Sequence, residues 1–208
     1  MRVYPAERAR DQHACLVLAH GAGAGQRHPF MATVAQGLAE RGIDVVTFDF
    51  PYMTQKRRVP DKAPVLEASF RETVAEARRR VGPDSRLFIG GKSLGGRMAT
   101  HLAAEGLADL QGVVLLGYPL HPPGKPEQPR VAHLPRITVP VLIVQGDRDA
   151  FGTPDEVRPA FAGLGTRATL HVVEGGDHSL RVPRSAGVSQ QDVYNGVLDA
   201  IAVWVQSV

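Results

Sequence analysis

Leu87-Phe88-Ile89-Gly90-Gly91-Lys92-Ser93-Leu94-Gly95-Gly96 reads as a buried strand running into a tight glycine turn and then into a helix. Within it, Gly91-Lys92-Ser93-Leu94-Gly95 is G-x-S-x-G. Small residues two before and two after the serine permit a strained turn that lifts its hydroxyl above the end of a sheet. Ser93 is therefore the candidate nucleophile. The backbone N–H of Leu94, at the helix N-terminus, is a candidate oxyanion donor, because the helix dipole favours negative charge there. A phosphate-binding reading of the same glycines fails, since G-x-x-x-x-G-K-S needs glycine at position 86 and the chain has Arg86.

Outward from this turn, short apolar runs alternate with longer amphipathic segments, the pattern of βα units and a parallel sheet. Six runs read as strands: Ala14 to Ala19, Val45 to Phe48, Leu87 to Gly90, Val113 to Leu116, Val141 to Gln145 and Thr169 to Val173. Their Val, Ile and Leu content lacks polar alternation, so both faces are expected to be covered by helices. Helical spacing covers about Pro29 to Arg41, Leu66 to Val81, Leu94 to Glu105, Pro154 to Ala162 and Gln190 to Val205. Gly42, Gly82 and Gly106 fall just past three of these helices, where a left-handed residue commonly ends the coil. The expected fold class is α/β: a three-layer α/β/α sandwich around a mostly parallel sheet, in a single domain spanning 1–208.

The chain has 208 residues, 43% hydrophobic and 22% charged, enough apolar surface for a core and too little charge for disorder. The net charge of +3 invites a nucleic-acid reading. Lys56-Arg57-Arg58 and Arg78-Arg79-Arg80 are short and lack interleaved aromatics, so no nucleic-acid partner is expected. No apolar run approaches the roughly 18 residues that span a bilayer, and MRVYPAERARDQHA holds no apolar signal core, so the expectation is a cytoplasmic protein with no membrane partner. Cys15, the single cysteine, sits in an apolar run and reads as a small buried hydrophobe.

A serine needs a base, and the base an orienting acid. Gly175-Gly176-Asp177-His178-Ser179 puts a histidine on a glycine-flexed loop past the last strand, and His178 is the candidate base. Val141 to Gln145 runs into Gly146-Asp147-Arg148-Asp149. Asp149, three residues after Gly146, is favoured as the acid, with Asp147 the alternative and Asp177 a turn residue. His20-Gly21-Ala22-Gly23 follows the first long apolar strand and offers a second oxyanion amide, Ala22 first and Gly23 next. His20 is read as a brace for that loop. Gly23, Lys92, Tyr52 and Tyr118 are candidate substrate contacts, Lys92 toward an anionic group. The other histidines share no metal-ligand spacing, and neither a metal nor another cofactor is expected.

With these segments placed, the chain resembles the α/β-hydrolase superfamily, in its small branch similar to dienelactone hydrolase. His20-Gly21-Ala22-Gly23-Ala24, Phe50-Pro51-Tyr52, Gly91 to Arg97, Gly117-Tyr118-Pro119-Leu120-His121-Pro122-Pro123-Gly124-Lys125 and Gln145 to Asp149 resemble a largely uncharacterised bacterial and animal subgroup. That subgroup includes a scaffold subunit of an animal histone-acetyltransferase complex. The resemblance implies serine-hydrolase chemistry carried by Ser93, Asp149 and His178 and does not itself imply a substrate; a small-molecule ester or thioester is the expected one. The resemblance also implies a rival, an interaction module that keeps the fold without catalysis. The usual place for a lid, roughly Gly117 to Pro140, holds about two dozen proline-rich residues, so a minimal α/β-hydrolase fold without a lid domain and with an open site is expected.

Overall fold

The computed structural model describes residues 1–7, 13–82 and 84–208. In chain order its strands are β1 (Arg2–Tyr4), β2 (Ala14–Ala19), β3 (Asp44–Phe48), β4 (Arg86–Lys92), β5 (Leu110–Leu116), β6 (Val141–Gly146) and β7 (Ala168–Val173). The helices are α1 (Pro29–Glu40), α2 (Pro51–Thr54), α3 (Ala63–Val81), α4 (Leu94–Ala104), α5 (Pro154–Phe161) and α6 (Gln190–Ser207). The strands form one sheet in the order β1-β3-β2-β4-β5-β6-β7, parallel throughout except for β1, which runs antiparallel on β3.

Two apolar layers explain why the strands show no polar alternation. On β2, Cys15, Val17 and Ala19 face Phe70 and Val74 of α3 and Met98 and Leu102 of α4. Leu16 and Leu18 face the opposite layer, with Met31 and Val34 of α1 and Ile201 of α6. Successive side chains of a strand point to opposite faces, so a sheet covered twice must be apolar at every position. Cys15 is fully buried and its thiol is pushed up to about 12 by that burial. It behaves as a core hydrophobe.

Three differences from the sequence reading have simple causes. β1 is only three residues long and lies on an edge with Val3 exposed, too short for a periodic signal. β4 continues to Lys92 instead of stopping at Gly90, because glycine carries no strand propensity to read. The four-residue α2 starts at Pro51, where the fixed φ of proline suits a first helical position. Gly42, Gly82 and Gly106 all have positive φ, at 83°, 84° and 78°, as their places after α1, α3 and α4 required. Between β5 and β6, residues 117–140 carry a single 3-10 turn, Leu134–Arg136, and no helix stands over the sheet there. Among the described residues no helix is long and apolar enough to cross a membrane.

Candidate active site

The turn between β4 and α4 is strained and close-packed. Ser93 has φ 51° and ψ −112°, a conformation that L side chains rarely adopt. A Cβ on Gly91 would lie 2.4 Å from the carbonyl carbon of Gly95, and one on Gly95 would lie 2.4 Å from the carbonyl oxygen of Ala19. Both glycines of the motif are thus required by the approach of the turn to itself and to β2. The Ser93 N–H donates to Leu116 O at 3.1 Å, tying the turn to β5.

The two loops beyond β6 and β7 meet at this turn. A Cβ on Gly146 would come within 2.2 Å of Gly176 O, so only glycine lets the loops close. Arg148 N–H donates to Gly176 O at 3.0 Å and Asp147 N–H to Val173 O at 3.2 Å. His178 Nδ1 lies 2.7 Å from Asp149 Oδ2, and its Nε2 lies 2.8 Å from Ser93 Oγ. A carboxylate only accepts, so Nδ1 carries the proton and Nε2 accepts from the serine hydroxyl. Asp149 is 1% exposed, and both its oxygens are engaged: Oδ1 accepts from Phe151 N–H at 2.8 Å and Oδ2 also accepts from Gln145 Nε2 at 2.9 Å. Asp147 stands exposed on the outside of the turn. Asp177 accepts from the N–H groups of Ser179 and Arg181 at 2.7 and 2.9 Å, the bonds of a turn residue. The Phe151 ring stacks on the His178 ring, centroids 4.1 Å apart.

The glycine loop after β2 is held from below. His20 Nδ1–H donates to Gly21 O at 2.8 Å, and His20 Nε2 accepts from Phe50 N–H at 3.1 Å. Burial pushes the His20 pKa down, which keeps Nε2 unprotonated and able to accept. Asp49 takes the backbone N–H and the Nε2 of Gln26 at 2.7 and 2.9 Å. Ala22 and Gly23 sit at the top of this braced loop and are exposed.

These parts border a cavity of about 660 Å³, within the usual range for small-molecule sites. Ser93, His178, Ala22, Gly23 and Lys92 all line it, and the apolar wall comes from Phe30, Met31, Phe151 and Tyr194. Tyr52 and Tyr118 are corrected: both are fully buried and neither lines the cavity. Tyr118 N–H donates to Gln145 Oε1 at 2.8 Å and its hydroxyl donates to Arg130 O at 2.8 Å, which turns the ring into the core against Phe161. Tyr52 packs edge-on against His20, with ring centroids 5.9 Å apart. Gln145 escaped the sequence reading, although a lone amide ending the apolar run Val141-Leu142-Ile143-Val144 was the available signal. Phe30 and Tyr194 also escaped it, since apolar residues on helices read as core.

Against known proteins, the model of the alpha/beta hydrolase domain family matches residues 12–206. The chain belongs to the alpha/beta hydrolase domain family. A proline iminopeptidase of Thermoplasma volcanium is 27% identical over 114 residues, 55% of this chain and 38% of that protein. The chain thus spans about two fifths of the length of that curated relative. Among solved structures, a dienelactone hydrolase from Anabaena variabilis superposes with TM-score 0.72 at 19% identity, covering 95% of this chain and 87% of the other. Est1E from Butyrivibrio proteoclasticus, solved with ferulic acid bound, superposes with TM-score 0.76 at 14% identity, covering 100% and 95%.

Proposed function

We propose that this alpha/beta hydrolase cleaves carboxylic esters or thioesters of small acyl groups through a Ser93–His178–Asp149 triad and an acyl-enzyme. The observation that carries the reading is the unbroken chain from Ser93 Oγ to His178 Nε2 at 2.8 Å and from Nδ1 to Asp149 at 2.7 Å. Ser93 Oγ bonds to the carbonyl carbon while its proton passes to Nε2, and the imidazolium formed is stabilised by Asp149. The developing oxyanion is received by the Ala22 and Leu94 amides. Nε2–H then protonates the departing alkoxide or thiolate. A water molecule, deprotonated by the same nitrogen, attacks the acyl-enzyme and releases the acid with Ser93 restored.

The wall of Phe30, Met31, Phe151 and Tyr194 fits a compact apolar or aromatic acyl group. A dienelactone hydrolase and an enzyme solved with an aromatic acid bound, both similar in fold, agree with that class. The test is hydrolysis of a panel of p-nitrophenyl esters and acyl thioesters, together with labelling by a fluorophosphonate probe. Labelling at Ser93 that is lost in His178→Ala is expected. A Ser93→Ala protein as fast as the parent overturns the assignment, and a folded parent that refuses both probe and esters leaves the interaction module.

A further inference from the structure

Lys92 is the residue just before the proposed nucleophile. Its side chain is 8% exposed, and its Nζ is shut off from solvent with no hydrogen-bond partner among the described residues. That is an uncommon state for an ammonium, because a buried charge ordinarily has a partner. The stem passes Gly21, where a Cβ would lie 3.4 Å from Lys92 Cγ, and ends beside His178. One point locates the end of the chain: a Cβ on Gly117 would stand 3.1 Å from Lys92 Nζ and 3.4 Å from His178 Nδ1. Nζ and His178 Nδ1 therefore border the same point beside Gly117. Lys92 borders the cavity, yet an atom without solvent contact gives a substrate carboxylate no place to touch it. This argues against direct recognition of an anion by Lys92.

Resting on the proposed triad, we propose that Lys92 is a positioning residue: its ammonium, held at Gly117 near His178 and carrying only donors, leaves the Nδ1–H to Asp149 and so keeps Nε2 turned to Ser93. An ammonium has no lone pair and cannot compete for that proton, whereas a neutral amine can. The charged and titratable groups facing Nζ are His178, and Asp149 and Asp177, whose carboxylates favour the ammonium. Burial outweighs them and lowers the Lys92 pKa to about 8. The amine is charged below that pH and loses its proton above it, so kcat/KM falls as pH rises through about 8.

The test measures kcat and KM on p-nitrophenyl acetate across the pH range, with fluorophosphonate labelling as a second readout, for the parent, Lys92→Met and Lys92→Arg. Lys92→Met is expected to lower kcat about tenfold through a displaced histidine, with KM unchanged and no fall near pH 8. Lys92→Arg, charged throughout, is expected to recover kcat and to stay flat above pH 8. If neither variant folds, lysine-specific carbon-13 NMR of the parent decides, since only Lys56, Lys62, Lys92 and Lys125 give signals. A lysine titrating in step with the loss of activity supports the inference. It is overturned by a parent profile flat through pH 8, by the same alkaline fall in Lys92→Met, or by a change confined to KM for carboxylated esters. A parent that neither hydrolyses nor labels rejects the triad reading, and this inference with it, whereas an active parent with an unmoved Lys92→Met profile rejects this inference alone.

Discussion

Two hollows of nearly equal volume open at opposite ends of β4. The one beyond its carboxyl end measures about 660 Å³ and the one beyond its amino end about 580 Å³. Volume does not distinguish them; their linings do. The amino-end hollow is bordered by Arg78, Arg79, Asp84, Ser85, Arg86, Asp109 and Gln111, several in ion pairs such as Arg78 with Asp109 at 3.7 Å. The carboxyl-end cavity joins an apolar wall to Ser93 and His178, whose directions are set by the buried Asp149 behind them, itself held by three bonds. In a parallel sheet the loops leaving the carboxyl ends converge, which is why ligands settle there. The lesson is that fixed geometry at buried groups marks a site, and an exposed charged groove of the same size does not.

That contrast can be broken by mutation, beginning where the expected loss is greatest. Asp149→Asn should reduce ester hydrolysis by about 10³-fold or more, because the amide cannot hold the tautomer that Ser93 requires. Steady-state kinetics on p-nitrophenyl acetate measures it, and near-parental rates would remove the cavity's claim to be special. Gln145→Leu comes next. It removes one donor to Asp149 and orphans the buried Tyr118 N–H, costing about 2 kcal/mol in denaturant unfolding and lowering kcat.

The bracing of the glycine loop predicts a pH effect of stability. The pKa of His20 is lowered in the folded protein from 6.5, so the unfolded chain binds the proton more readily. The contribution is complete above pH 6.5 and shrinks as pH falls below it, because protonated Nε2 cannot accept from Phe50 N–H. His20→Gln should flatten that part of the curve in thermal melts recorded from pH 7.5 down to 5. At the other end of the sheet, Arg79→Ala should leave both activity and melting temperature unchanged. A clear loss of hydrolysis there would make the two hollows equals.

Much of this was legible in the residues. The six apolar runs placed six of the seven strands, since a doubly covered sheet writes itself as unbroken Val, Ile and Leu. Gly91, Ser93 and Gly95 announced the turn because only small residues fit against Ala19. Asp149 and His178 were readable from the glycines that let their loops close. The aromatic assignments were not: Tyr52 and Tyr118 stood beside motif residues in the chain, and proximity along a chain does not say which way a ring turns.

The sequence by itself determined the layered α/β plan, the strained serine turn and the short list of acidic and basic partners, because each rests on local conformational needs within a few residues. Only the tertiary structure decided that Asp149 and not Asp147 reaches His178, that Gln145 holds Asp149, and that the Lys92 ammonium ends near Gly117 without a hydrogen-bond partner among the described residues. Those facts depend on contacts between residues far apart in the chain, such as Ser93 and His178, and on burial, which is set by the packing of the whole sheet and not by any segment of it.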